Sequence, residues 1–149
     1  MKRITLLLLI ALTISCSKDE KNEKTQNTSN DLIIGSWQFG DVVDTFNDGT
    51  VNVISATQCD LQSSFTFEVD NDILLTSFIE DVNDNCVREA NNLEYFRWYN
   101  NGNGNYLFES KEIDGTESNK TQNITFDNNV MIITEVTSNK TRKQYFNKT

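Results

Sequence analysis

The sequence predicts an all-β domain of eight or nine short antiparallel strands. Apolar and polar residues alternate in short segments, and clusters of Asn, Asp and Gly separate these segments. No long segment keeps apolar residues at the i, i+3, i+4, i+7 spacing of an amphipathic helix. Because the segments are joined by turns and not by helical crossovers, we expect a β-barrel, with a two-sheet β-sandwich as the alternative.

The clearest alternation lies in the first half of the domain. Phe65, Phe67 and Val69 alternate with polar residues, as expected of a half-buried strand. The predicted strands in this half are 36–46, 51–57, 64–69 and 73–79, and a polar loop, 80–92, follows them.

An aromatic hairpin opens the second half. Its two strands, 93–99 and 106–113, flank a turn of Asn and Gly residues, the types that best tolerate positive φ. Three further strands are predicted at 122–126, 130–137 and 143–146. The hairpin supplies six candidate contacts for a ligand or a partner: Tyr95, Phe96, Trp98, Tyr99, Tyr106 and Phe108.

Residues 1–15 have the pattern of a secretory signal peptide. Lys2 and Arg3 precede the apolar run 4–14, and small Ser15 stands before Cys16. Eleven helical residues reach roughly 16 Å, too short for a bilayer core of about 30 Å. An ordinary signal peptide with an incidental cysteine is one interpretation.

The segment that ends at Cys16 also resembles the lipobox of bacterial lipoproteins. That resemblance implies cleavage before Cys16, lipidation of its thiol and a membrane anchor. The next four residues, Ser-Lys-Asp-Glu, are similar to an acidic export signal of some Gram-negative lipoproteins. The expected location is therefore the outer membrane, with the domain displayed at the surface.

Composition bounds the rest of the chain. Residues 16–30 hold the lipidated Cys and a run without apolar residues, which predicts a disordered tether; one domain, 31–149, remains. Without residues 1–15 the chain carries 11 basic and 22 acidic residues, a net charge of −11. Such a charge repels phosphate backbones, so nucleic acid is not an expected partner.

Cys59 and Cys86 remain after Cys16 is assigned to lipid. Because an exported protein permits disulfides, we predict one between Cys59 and Cys86; two free thiols or half of a metal site are the alternatives. The chain has no His, which weakens a zinc site. The segment 81–85 is similar to the start of a calcium loop but lacks its Gly and its closing Glu, so we interpret it as a turn.

The absence of His also excludes the usual catalytic triads. Carboxylates are plentiful, but most lie in predicted turns, where Asp bonds to local backbone. We therefore expect no enzyme, no catalytic residues, no cofactor and no metal.

Gly35 and Trp37 open the domain with a Gly-x-Trp that resembles the lipocalin signature. The order of Gly-x-Trp, Cys59, the Phe-Thr-Phe strand 65–67 and Cys86 is similar to the lipocalin-like domains of bacterial lipoproteins. The resemblance implies an up-and-down barrel of about eight strands, with Trp37 as a plug and Arg142 as the residue packed over it. It also implies binding of a small apolar or amphipathic ligand.

Two functions remain open. Eight strands enclose an interior that is either filled or able to hold one small ligand. An open cavity favours ligand binding. A filled barrel with exposed hairpin aromatics favours an envelope protein-protein interaction module without a small ligand.

Overall fold

The computed structural model describes residues 29–149, which form a nearly closed antiparallel barrel and a small second sheet. The predicted signal peptide, Cys16 and nearly all of the tether lie outside these residues. The strands are β1 Gly35–Phe46, β2 Val51–Ile54, β3 Ser64–Phe67, β4 Ile73–Thr76, β5 Phe78–Glu80, β6 Cys86–Arg88, β7 Leu93–Asn100, β8 Asn105–Glu112, β9 Glu117–Asp127, β10 Val130–Val136 and β11 Lys140–Lys148. No helix within residues 29–149 has the length and apolarity needed to cross a membrane.

The first and last strands of the chain, β1 and β11, pair side by side in the middle of the barrel sheet. Its order is β4-β3-β1-β11-β10-β9-β8-β7, with β2 beside β1. β1 bends at an irregularity between Phe39 and Val42, so that its first half pairs with β3 and its second half with β2. Gly40 lies at this bend, where a Cβ would come 3.0 Å from the Tyr145 carbonyl oxygen. The predicted up-and-down barrel is confirmed, and a sandwich is not formed.

The two strands at the edges of this sheet, β4 and β7, meet only at the end of the barrel that holds the core residues Ile73 and Trp98. A single antiparallel β-bridge between Asp72 and Arg97 joins them, and the backbone N–H of Trp98 donates to the Asn71 carbonyl at 2.9 Å. Above this point β4 and β7 form no further ladder within the described residues. The barrel is therefore nearly closed, with a seam between these strands.

Several strand bounds differ from the prediction. The strand predicted at 73–79 ends at Thr76, and the loop predicted at 80–92 contains half of the β5–β6 hairpin. The strand predicted at 64–69 ends at Phe67, which leaves Val69 exposed on a turn. β9 begins at Glu117, five residues before its predicted start, because its first half carries no apolar residue to reveal the alternation.

The apolar core fills one end of the barrel. Its buried side chains are Ile33, Trp37, Phe67, Ile73, Trp98, Tyr106, Ile124, Met131 and Phe146. Both indoles satisfy their N–H group: Trp37 Nε1 donates to the Ile33 carbonyl at 2.6 Å, and Trp98 Nε1 to the Glu68 carbonyl at 3.0 Å. A buried indole N–H without an acceptor would cost free energy, so these contacts fix the two largest side chains of the core.

The disulfide predicted between Cys59 and Cys86 is confirmed. Cys59 and Cys86 are bonded, with a Cα–Cα distance of 5.2 Å. Cys59 is buried at the start of a 3₁₀ turn, Asp60–Gln62, and Cys86 begins β6. The bond therefore ties the β5–β6 hairpin to the segment that leads into β3.

Candidate functional site

A cavity of about 320 Å³ lies in the upper half of the barrel. Its floor is aromatic and aliphatic, and its upper wall is polar. The lining residues are Phe65, Phe67, Phe96, Phe108, Ser110, Ser118, Lys120, Gln122, Ile133, Gln144 and Phe146. This volume is at the lower end of the range typical of small-molecule sites.

The cavity arises from a gradient along the inward faces of the strands. In β9 the inward residues pass from buried Ile124 through half-buried Gln122 to exposed Lys120 and Ser118. In β8 they pass from buried Tyr106 through Phe108 to Ser110. The barrel is therefore packed at one end and open and polar at the other.

Phenylalanine rings form the floor. Phe65 contacts Phe96 and Phe146, with ring centroids 6.0 and 5.9 Å apart, and Phe96 contacts Phe108 at 6.2 Å. All three pairs are tilted or edge-to-face, arrangements that aromatic rings prefer over a face-to-face sandwich. The floor thus offers an apolar surface that is already packed from below.

Charged side chains border the open end on the β1–β11 side. Asp44, only 2% exposed, accepts from Arg142 Nε at 2.8 Å, from Arg142 Nη2 at 2.9 Å and from Lys140 Nζ at 2.6 Å. Hydrogen bonds from Arg142 and then Lys140 hold the pKa of Asp44 well below its usual range. Two cations therefore share one buried carboxylate.

A second ion pair continues this border across β10 and β9. Lys120 Nζ lies 2.8 Å from Glu135 Oε1, and both side chains are about half exposed. The hydrogen bond from Lys120 lowers the pKa of Glu135, and the positive charge of Arg142 adds to the effect. We call Asp44, Lys120, Glu135, Lys140 and Arg142 the charged rim; it holds three cations and two carboxylates.

The described chain begins at the packed end of the barrel. Asp31 accepts from the Tyr106 hydroxyl at 2.8 Å and from the Asn100 amide. Burial, and then this contact with Asp31, raise the pKa of Tyr106. Tyr106 and Ser110 lie toward opposite ends of β8, so residue 29 and the cavity mouth are at opposite ends of the barrel.

The six predicted hairpin contacts separate into three groups. Phe96 and Phe108 line the cavity. Trp98 and Tyr106 are buried in the core, at 0% and 4% exposure, and cannot present a surface to a partner. Tyr95 and Tyr99 point the other way on β7, and the Arg97 guanidinium lies 4.9 Å from the centre of the Tyr95 ring.

The structure corrects the role given to Arg142. The cation over Trp37 is Lys148, whose Nζ lies 5.0 Å from the ring centroid, because Lys148 is the β11 residue opposite Trp37. Arg142 lies opposite Asp44, six residues before Lys148 on β11. Trp37 itself is 1% exposed and closes the packed end, as expected of a plug.

The polar wall of the cavity was missed by the sequence analysis. Ser118, Lys120 and Gln122 alternate with outward residues in the part of β9 that had no predicted strand. The period-2 spacing was present, but without apolar residues it did not distinguish a strand from a loop.

No chelating cluster accompanies the cavity within the described residues, where three or more His, Cys, Asp or Glu side chains nowhere converge. The segment 81–85 is a turn: Asp81 Oδ1 accepts from the backbone N–H groups of Asn83 and Asn85 at 2.8 and 2.9 Å. These bonds, that of Asn85 first, lower the pKa of Asp81.

No protein family, curated protein or solved structure matches the chain. The cavity and the charged rim are therefore the observations on which a function is proposed.

Proposed function

We propose that the domain binds one small apolar or amphipathic molecule in the open half of the barrel. The observation that carries the proposal is the cavity of about 320 Å³ with a phenylalanine floor and a polar wall. Burial of apolar ligand surface against the floor supplies affinity, at roughly 25 cal/mol per Å² before the costs of association. The polar wall leaves the hydrophilic part of the ligand in contact with water or side chains.

We further propose that the chain is an exported outer-membrane lipoprotein anchored through Cys16. The anchor would join the domain at the packed end, near residue 29, so the cavity mouth would lie at the end farthest from the attachment. Replacing Cys16 by Ser should move the protein from the membrane fraction to the soluble fraction. A Cys16→Ser protein that stays in the membrane fraction would contradict lipid anchoring.

Ligand binding is tested with a neutral fluorescent amphiphile, N-phenyl-1-naphthylamine. The wild-type domain should bind it saturably with one site. Ile133→Trp fills the cavity from β10 and should weaken binding at least tenfold, whereas Val136→Trp, on the same strand but 74% exposed, should not. Ser110→Phe fills the mouth from β8 and gives an independent variant if Ile133→Trp is poorly folded.

Absence of saturable binding by the wild-type domain, or equal loss in the Ile133 and Val136 variants, would reject the cavity as the site.

The second candidate is an envelope protein-protein interaction module. Its supporting observation is β2, where Val51, Val53 and Ile54 are 57%, 56% and 46% exposed. Among the described residues β2 pairs only with β1, so its other edge can accept a strand from a partner. A photo-crosslinking residue at position 53 should then give a discrete adduct in cells, absent when it is placed at position 136.

A further inference from the structure

The charged rim gives one side of the cavity mouth a local charge opposite to that of the whole chain. The chain carries a net charge of −9. The rim, in contrast, has three cations, Lys120, Lys140 and Arg142, against two carboxylates. The opposite side of the mouth, at the β8–β9 turn, carries Glu112, Asp114 and Glu117. The positive excess of the rim therefore acts on an anion that lies close to it, within about one Debye length.

Within the rim, Lys120 is the cation that reaches the cavity. Its side chain lines the wall between Ser118 and Gln122, above the phenylalanine floor. Its partner Glu135 is on β10 and is itself half exposed. An exposed ion pair of this kind contributes little free energy, typically 0–1 kcal/mol, so a ligand anion can compete with Glu135 for the ammonium group.

The other two cations are committed elsewhere. Arg142 and Lys140 both bond to the buried carboxylate of Asp44. They supply long-range attraction and leave Lys120 as the direct contact. Gln144 lies opposite Ile133 on β11, and Gln122 lies on β9 two residues before Ile124, the residue opposite Ile133; both offer amide N–H donors in the same wall.

From this arrangement we propose that the ligand is an amphiphile with a single anionic head, such as a carboxylate, whose head binds Lys120 and whose apolar part lies on the Phe65–Phe96–Phe108 floor. The inference rests on the proposed ligand-binding function. It adds the chemical class of the ligand and names the residue that recognises it. Cavity size limits the buried part to roughly ten water volumes, which suits a short chain or a single ring system.

The test compares decanoate with decan-1-ol, which share a chain and differ in the charge of the head. Each displaces N-phenyl-1-naphthylamine from the wild-type domain at neutral pH and low salt. Decanoate should displace the probe at a concentration at least fivefold lower than decanol. Raising the salt concentration should reduce this preference, because salt screens the partly exposed Lys120.

Three variants assign the preference to its residues. Lys120→Gln should remove the preference for decanoate and leave decanol unchanged. Glu135→Gln removes the competing carboxylate and should increase the preference. Lys143→Gln makes the same charge change on β11 at an exposed residue outside the cavity lining, so it should change little.

Each outcome decides between the proposals. Equal displacement by decanoate and decanol would overturn the anionic head and leave ligand binding intact. A decrease in Lys143→Gln as large as in Lys120→Gln would overturn direct recognition by Lys120. If the wild-type domain does not bind the neutral probe, the proposed function fails with the inference. Circular dichroism of each variant confirms that the barrel is folded.

Discussion

Lys148 lies across the face of Trp37, with Nζ 5.0 Å from the ring centroid, and its stem passes over Gly35. Gly35 has φ +122°, and a Cβ there would lie 3.2 Å from Lys148 Cε. The Gly-x-Trp of the sequence therefore has a local physical reason. Glycine adopts the backbone conformation that begins β1, and its missing side chain leaves room for the lysine that covers the indole.

Gly35→Ala should destabilise the domain more than Gly49→Ala. Both residues have positive φ, but nothing lies within 4 Å of the position of a Cβ at Gly49. We expect a loss of about 1–3 kcal/mol at Gly35, from backbone strain and from displacement of Lys148. Urea unfolding measures both variants. Adding Lys148→Ala should reduce the cost at Gly35 only; equal costs at the two glycines would contradict this account.

Trp37→Ala should remove about 3–5 kcal/mol from the free energy of unfolding, because it opens a cavity in the packed end of the barrel. Trp37→Phe should cost less, since it keeps a ring and loses mainly the hydrogen bond to the Ile33 carbonyl. Chemical denaturation of the three proteins gives the comparison. An unchanged unfolding midpoint for Trp37→Ala would show that the indole is not a structural plug.

Replacing both Cys59 and Cys86 by Ala should lower stability through the unfolded chain. The bond has a sequence separation of 27, and a loop of this length corresponds to about 3.6 kcal/mol in the chain-entropy model. The oxidised and reduced wild-type protein, unfolded in urea without and with reductant, should show the same direction. A midpoint that is insensitive to reductant would mean that the β5–β6 hairpin needs no covalent tie.

Asp44→Asn should destabilise the domain at neutral pH, with a cost that decreases as the pH falls. The folded-state pKa of Asp44 lies well below its unfolded value of about 3.9, because Arg142 and Lys140 favour the charged carboxylate. The ionised carboxylate thus stabilises the wild type fully above about pH 5, and this contribution falls as the pH drops below about 4. Stability curves of both proteins between pH 2 and pH 7 should converge toward the acid end.

A difference between the Asp44→Asn and wild-type proteins that stays constant from pH 7 to pH 2 would show that the pairing with Arg142 and Lys140 does not depend on the carboxylate charge.

Strands with apolar alternation were predictable, and strands with a polar inward face were not. Phe65 and Phe67 revealed β3 because their alternation with polar residues has a period of two. The first half of β9 gave no such signal, since its inward residues are Ser118, Lys120 and Gln122. The missed segment is therefore the one that forms the polar wall of the cavity.

The sequence predicted the aromatic hairpin but could not assign a role to each of its aromatic side chains. Sequence alone grouped Phe96, Trp98 and Tyr95 as candidate contacts because aromatic side chains serve cores and binding surfaces alike. Register and depth in the barrel separate them: Phe96 faces the cavity, Trp98 the core and Tyr95 the outside. The direction in which each side chain points depends on the pairing of β7 with β8 and on the contact of β7 with β4.

The sequence by itself determined the all-β class, the turns and the hairpins, because these follow from local alternation and from Asn and Gly at positive φ. Only the tertiary structure decided which cation covers Trp37 and that the barrel is packed at one end and hollow at the other. Such features join residues far apart in the chain. Strand register, which local composition does not specify when the inward face is polar, brings them together.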